Sequence, residues 1–152
     1  AENATWRNFF LMGARELRWE ITGTPTDSAA PDVLAQLSVE QILDAMAIRL
    51  DGPRAWGTRL RINWQVTEPD DPHLIEVENG VLNHRPGHDP EADATLTIER
   101  RALNEMLGKE ADLAELATSG RLRVEGDGEK LGQLLGLLDE PDPGFAIVTP
   151  EP

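Results

Sequence analysis

The chain has 152 residues, of which 39% are hydrophobic and 28% are charged, proportions typical of a globular protein that exclude a disordered or collagen-like one. Its 28 acidic and 14 basic residues give a net charge of −14, which disfavours nucleic acids and anionic membrane surfaces as partners. The chain contains no cysteine and no apolar stretch long enough for a membrane span, so disulfides, thiolate metal sites and a transmembrane segment are excluded.

The N-terminal segment, residues 3–22, has the periodicity of an amphipathic helix. Large apolar residues recur at helical spacing, as Trp6, Phe10 and Leu17 illustrate, and a Gly-Thr-Pro sequence at 23–25 ends the pattern. Two of the four tryptophans and two of the three phenylalanines lie here. So much aromatic surface on a terminal helix requires a partner surface, either the protein's own core or another domain.

A second helix follows a linker-like stretch, residues 24–37, that contains two prolines. Ser38 is predicted to cap this helix, with Gln41 three residues later as the partner in a capping box. Apolar residues at helical spacing then continue to Leu50, and a broad apolar arc predicts that the helix is deeply buried. The Asp-Gly-Pro sequence at 51–53 is expected to end it.

Strands follow. The segment 59–66 alternates between apolar and polar residues, which predicts a half-buried strand. Asn79 and Gly80 predict a tight hairpin turn that pairs Val77 with Leu82. Further strands are predicted at 94–98 and 121–125, short helices at 101–107 and 113–118, and a last helix at 130–139. This order predicts an α+β fold with a five-stranded, mainly antiparallel sheet, covered by helices on one face.

The histidines do not form a recognisable metal site. His84 and His88 are four residues apart beside Asp89, but Pro86 and Gly87 separate them, so they cannot share a helical face. Structural and catalytic metal sites need three or four converging protein ligands. We therefore predict no bound metal and no other cofactor.

Arginines on outward strand positions allow two interpretations. They could form an anion-binding stripe, for instance for a sulfate group, or they could pair with glutamates across the strands, which is the interpretation we favour. The arginines are Arg59, Arg61, Arg121 and Arg123, and the candidate partners are Glu76, Glu78 and Glu125.

The last predicted helix combines leucines on nearly every side with Gly132 and Gly136, four residues apart. A glycine in a helix costs about 1 kcal/mol relative to alanine, so a compensating role is expected. The glycines either allow close packing against the sheet or leave room for a ligand in a cavity wall. Asp127 is expected to cap this helix.

Several segments, taken together, resemble one family. They are 6–18 (WRNFFLMGARELR), 37–53 (LSVEQILDAMAIRLDGP), 62–64, 78–84, 92–97, 134–139 and 145–150. In sequence and in order they resemble the C-terminal part of the alkyl sulfatases. The resemblance implies that residues 1–23 correspond to the end of a preceding helical region, 24–37 to a linker and 38–152 to a domain of the sterol carrier protein 2 type.

Alkyl sulfatases hydrolyse long-chain alkyl sulfates such as dodecyl sulfate, with two zinc ions held in a domain that carries an HxHxDH motif. That motif is absent here, so no catalytic residue is assigned and the chain is predicted not to be an enzyme on its own. Because the family's helical region is a dimerisation region, we also predict that Trp6, Phe9 and Phe10 are not all buried within one chain and that this helix mediates a homodimer.

In the alkyl sulfatases the C-terminal domain is taken to hold apolar chains near the active site. We therefore predict a binding module for aliphatic or alkyl sulfate-like molecules between the inner sheet face and the helices. The expected lining residues are Ile42, Met46, Trp64, Ile75, Val77, Leu96, Leu131, Leu134, Leu135 and Leu138. The alternative is a solid structural or interaction domain of a larger enzyme, with no ligand of its own.

Overall fold

A computed structural model of the chain describes residues 3–20, 31–140, 146 and 148–149. The chain divides into two compact units, one formed by residues 1–27 with 141–152 and the other by residues 28–140. The end of the first predicted helix, the first half of the linker (residues 24–30) and the apolar run at 145–148, except residues 146 and 148, lie outside the described residues.

In the first unit, helix α1 (Ala4–Trp19) begins at Asn3, whose side chain accepts a hydrogen bond from the backbone N–H of Trp6. Glu16 is buried although it is charged. Its carboxylate accepts hydrogen bonds from the backbone N–H groups of Val148, at 3.1 Å, and Thr149, at 2.7 Å, and from the Thr149 hydroxyl. These bonds attach the C-terminal segment to α1.

The second unit is an α+β domain. Its elements are α2 (Pro31–Gln36), α3 (Val39–Ile48), α4 (Gly52–Ala55), β1 (Leu60–Thr67), β2 (Asp71–Glu78), β3 (Val81–Pro86), β4 (Ala94–Glu99), α5 (Arg100–Leu107), α6 (Leu113–Thr118), β5 (Leu122–Gly126) and α7 (Gly128–Gly136). The strand order is β3-β2-β1-β4-β5, and all neighbours are antiparallel except the parallel pair β1 and β4. The predicted fold class is confirmed.

Local sequence rules account for the main element boundaries. Ser38 and Gln41 form the predicted capping box at the start of α3, with hydrogen bonds of 3.1 and 2.9 Å. Asn79 and Gly80 both have positive φ, and the hairpin pairs Val77 with Leu82 as predicted. A Cβ atom at Gly80 would lie 2.6 Å from the Gly52 carbonyl oxygen, so this turn has no room for a side chain.

The helices cover one face of the sheet, and the core lies between them. Leu60, Ile62, Trp64 and Val66 of β1 are at most 1% exposed on that face, as the alternation predicted. They pack with apolar residues of α3, α5, α6 and α7 in one cluster.

Three features differ from the sequence-based expectations. Helices α2 and α4 are short and were not predicted; α2 lies inside the stretch expected to be a linker. Helix α7 begins at Gly128 and ends at Gly136, earlier than the predicted 130–139, with Asp127 as its cap. Asn63 is buried although it points away from the core face, because its side chain binds the loop that follows β3.

Candidate functional site

The ten residues predicted to line a ligand site come together in the interior of the second unit. Eight of them are buried, and Leu135 and Leu138 are half-buried at its margin. The buried ones are Ile42 and Met46 on α3, Trp64 on β1, Ile75 and Val77 on β2, Leu96 on β4, and Leu131 and Leu134 on α7. They share one apolar cluster, and their role in ligand binding stays a prediction.

Helix α7 forms one side of this interior and is fixed at both ends. Beyond its C-terminus, the backbone N–H of Asp51 donates to the Leu137 carbonyl at 2.9 Å. The Arg54 guanidinium donates to the Gly136 carbonyl at 2.9 Å, and the Arg49 guanidinium donates to the Asp139 carbonyl at 2.6 Å. At the other end, the Asp127 N–H binds a carbonyl in the turn before β4. The helix therefore has a defined position against the sheet.

The two glycines of α7 have neither of the roles considered from the sequence. Gly132 and Gly136 are exposed, and a Cβ atom on either would meet nothing within 4 Å. Close packing against the sheet and a gap on the ligand side are therefore both wrong for these positions. The physical reason is helical phase: Leu131 and Leu134 point into the core, which turns the glycines towards open space.

Two nitrogen atoms in the covered interior have no hydrogen-bond partner among the described residues. They are Nε1 of Trp64 and Nδ1 of His73, and these two residues are Cα partners in the β1–β2 register. The other ring nitrogen of His73 lies 3.0 Å from the Asp71 carboxylate. The ring of His84 on β3 lies edge-on to that of His73, with centroids 6.2 Å apart.

The sequence analysis did not include His73 among the site residues. Its position in the alternation could have identified it, because His73 is two residues before Ile75 and therefore lies on the same face of β2. No sequence pattern indicates that Nδ1 of His73 lacks a hydrogen-bond partner, because this depends on which groups the neighbouring elements bring close to it.

The structure separates the histidines that were considered as metal ligands. His84 lies on the helix-covered side of β3, where its Nε2 is 2.9 Å from the Asp44 carboxylate of α3. His88 lies on the opposite side of the sheet, where its Nε2 is 3.0 Å from the side-chain amide of Asn63. Within the described ranges, no three histidine or carboxylate side chains come together as a metal site.

The outward arginines are paired with carboxylates, and the predicted pairing across strands is confirmed for Arg59 and Arg61. Arg123 pairs instead within β5, and Arg121 pairs with Glu105 of α5 and with Glu99, which were not predicted partners. The pairs are Arg59 with Glu78 at 2.6 Å, Arg61 with Glu76 at 3.1 Å, Arg123 with Glu125 at 2.7 Å, and Arg121 with Glu105 at 2.7 Å and Glu99 at 3.2 Å. The hydrogen bond from Arg121 lowers the pKa of Glu105 and raises that of the guanidinium. These arginines do not form a free stripe for an anion.

A second apolar surface lies on α1 in the first unit. Trp6, Phe9 and Phe10 are 64–70% exposed, which confirms the prediction that they are not buried within one chain. They line a groove of about 720 Å³ together with Thr5, Gly13, Ala14, Leu17 and Val148. None of the described helices is both long and apolar enough to cross a membrane.

Comparison with known proteins identifies the family of the chain. Residues 27–150 match the family model described as alkyl sulfatase C-terminal. The chain belongs to this family. A linear primary-alkylsulfatase from a Pseudomonas species is 39% identical over 152 residues, which cover 99% of this chain and 23% of that protein. The family model thus covers residues 27–150, and the match to this relative also includes the segment that precedes them.

Solved structures agree with that assignment. The stereoselective inverting sec-alkylsulfatase from a Pseudomonas species is 33% identical with a TM-score of 0.77, covering 95% of this chain and 23% of that one. Palmitated sterol carrier protein 2-like 2 from Aedes aegypti has a TM-score of 0.52 at 16% identity, covering 66% of this chain and 93% of that one. The latter match shows that the fold is of the sterol carrier protein 2 type.

The chain spans about a quarter of the length of the alkylsulfatases that it matches. It matches their C-terminal domain.

Proposed function

We propose that this alkyl sulfatase C-terminal domain binds long, unbranched aliphatic chains. The observation that carries the proposal is the single apolar cluster between the covered sheet face and helices α3 and α7, in which all ten predicted lining residues meet. Two comparisons support it. The relatives are named for alkyl sulfates as substrates, and a protein of similar fold was solved in palmitated form.

We further propose that, within a larger alkyl sulfatase, the domain holds the aliphatic tail of the substrate while another domain cleaves the sulfate ester. Recognition through the tail agrees with the charges of this chain. Its net charge is −14, and the four outward arginines are already paired with carboxylates, so they offer little to a sulfate group.

The expected affinity follows from the number of methylene groups of the ligand that are removed from water. Each methylene removed from water contributes about 0.8 kcal/mol, so a twelve-carbon chain contributes about 9 kcal/mol before losses. Lost translational and rotational freedom takes at least several kcal/mol of this. Dissociation constants between micromolar and millimolar are therefore expected.

A displacement assay with matched variants of α7 tests the location of the site. The protein is loaded with a fluorescent fatty-acid probe, which is then displaced by 1-decanol or by decyl sulfate below its micelle concentration. Leu135→Gln places a polar amide at the half-buried margin of the cluster, and Gly132→Gln places the same amide in open space. We expect Leu135→Gln to weaken binding by at least tenfold and Gly132→Gln to leave it unchanged.

If the two variants weakened binding equally, the site would not lie against α7. If the unmodified protein bound neither ligand saturably, the alternative of a structural domain without a ligand would be the better account. Binding to the exposed aromatic surface of α1 is controlled with Phe10→Gln, which removes a ring that is 70% exposed. This variant is expected to bind both ligands as the unmodified protein does.

We also propose that a second copy of the chain covers the apolar surface of α1. Four large apolar residues that line the groove on this helix are 64–70% exposed: Trp6, Phe9, Phe10 and Leu17. Contiguous apolar patches of this kind mark interaction sites in soluble proteins. Pairing of two α1 helices would bury the same surface on both copies, as a twofold dimer requires.

A further inference from the structure

The interior of the domain contains polar atoms that its own side chains do not satisfy. Trp64 is 1% exposed and His73 is 4% exposed, yet Trp64 Nε1 and His73 Nδ1 have no hydrogen-bond partner within the described part of the chain. Buried polar groups without a partner cost free energy, so native proteins satisfy nearly all of them with protein, water or ligand. The two residues are opposite each other on adjacent strands and their rings lie on the same covered face.

The hydrogen-bonding roles of these two atoms follow from their chemistry. An indole N–H can only donate a hydrogen bond. The carboxylate of Asp71 can only accept one, so the Nε2 atom of His73, 3.0 Å away, carries a proton. In the neutral imidazole the remaining nitrogen, Nδ1, is then an acceptor. The interior thus offers one unpartnered donor and one unpartnered acceptor, on two residues that are paired across β1 and β2.

The geometry points to a neutral hydroxyl group as the ligand's polar end, and we propose that the domain binds long-chain primary alcohols in this way. The Trp64 N–H donates to the alcohol oxygen, and the alcohol O–H donates to Nδ1 of His73. This inference rests on the proposed binding of aliphatic chains and specifies which chains are preferred. A hydroxyl satisfies both buried atoms at once, which neither an ether nor a hydrocarbon can do.

An alkyl sulfate is expected to bind this interior less well than the alcohol of equal length. Among the described residues, no Lys or Arg is buried, so the charge of a buried sulfate would have no cationic partner. The primary alcohol is also what remains when water cleaves a primary alkyl sulfate, which yields the alcohol and hydrogen sulfate. A substrate held by its tail must therefore keep its sulfate outside this interior, whereas the alcohol product can enter it whole.

The test compares three ligands with the same ten-carbon chain at pH 8: 1-decanol, its methyl ether 1-methoxydecane, and decyl sulfate. The ether can accept a hydrogen bond but cannot donate one. We expect 1-decanol to bind about 2- to 10-fold more tightly than the ether, the range for one net hydrogen bond, and decyl sulfate to bind most weakly. His73→Phe should abolish the difference between alcohol and ether by weakening the alcohol alone.

The indole N–H resonance of Trp64 gives a readout of ligand binding in the unmodified protein. Trp6, Trp19 and Trp56 are 66–71% exposed, so Trp64 is the buried member of the four, and Trp64→Phe identifies its signal. We expect 1-decanol to move this resonance downfield, as a new hydrogen bond requires.

Two results would overturn the inference while leaving the proposed function intact. One is decyl sulfate binding as tightly as 1-decanol. The other is a Trp64 N–H resonance that is at a hydrogen-bonded chemical shift before any ligand is added and that 1-decanol does not change. That result would mean that a bound water already satisfies this N–H group. Failure of all three ligands to bind saturably would instead refute the proposed function itself.

Discussion

Replacement of Leu134 by alanine tests whether α7 is seated on the sheet as the structure shows. The side chain of Leu134 is fully buried in the core cluster. Leu→Ala changes at such positions remove the transfer free energy of three carbons and leave a cavity, which together cost about 2–5 kcal/mol. With no exposed surface at this position, we expect about 3 kcal/mol. In a chain of this length that corresponds to a fall in Tm of roughly 6–12 °C.

The matched control is Gly132→Ala, which introduces the same methyl group on the opposite side of the same helix. A Cβ atom there meets nothing within 4 Å, and alanine is the better helix former, so this variant should gain about 0.5–1 kcal/mol. Urea unfolding monitored by circular dichroism measures both changes. A loss below about 1 kcal/mol for Leu134→Ala, or a loss for Gly132→Ala, would refute the orientation assigned to α7.

Three further predictions concern other parts of the chain. Gly80→Ala is expected to cost about 1–3 kcal/mol in urea unfolding, because residue 80 has a φ of 74° and its Cβ would lie 2.6 Å from a backbone oxygen; an unchanged stability would contradict the turn. Trp6→Glu combined with Phe10→Glu should convert a dimer to a monomer in sedimentation velocity, and a dimer that persists would exclude α1 as the interface. Because the pKa of Glu105 is lowered, its ionised form stabilises the fold above the ordinary carboxyl pKa of about 4.3, and that contribution disappears as the pH falls through the lowered value. Glu105→Gln should therefore reduce stability at pH 7 but have little effect near pH 2, and an equal loss at both pH values would contradict the Arg121 interaction.

The features that the sequence predicted correctly depend on short-range rules. The alternation that ends at Val66 places one face of β1 in the core. The capping box at Ser38 and the turn at Gly80 each require particular residues within a span of four. The choice of side chains that would meet in the core followed from the same periodicities, and all ten lie in one cluster.

The features that were missed depend on contacts between distant segments. The parallel pairing of β1 with β4 joins strands separated by a complete hairpin, and nothing in either strand specifies it. Asn63 is at an outward position but is buried by a loop 26 residues away. The phase of α7, which turns Gly132 outward, is set by how the helix docks and not by its leucine content. For the same reason, the unpartnered nitrogen of His73 was not foreseen.

The dependence of affinity on chain length is the most direct measurement of whether this domain binds aliphatic chains. Isothermal titration with 1-hexanol, 1-octanol and 1-decanol should give a single saturable site. If each added methylene contributes about 0.8 kcal/mol, the dissociation constant should fall about fourfold per methylene, or about 15-fold for each step of two carbons. Absence of saturable binding, or an affinity that does not change from six to ten carbons, would contradict a chain-binding interior.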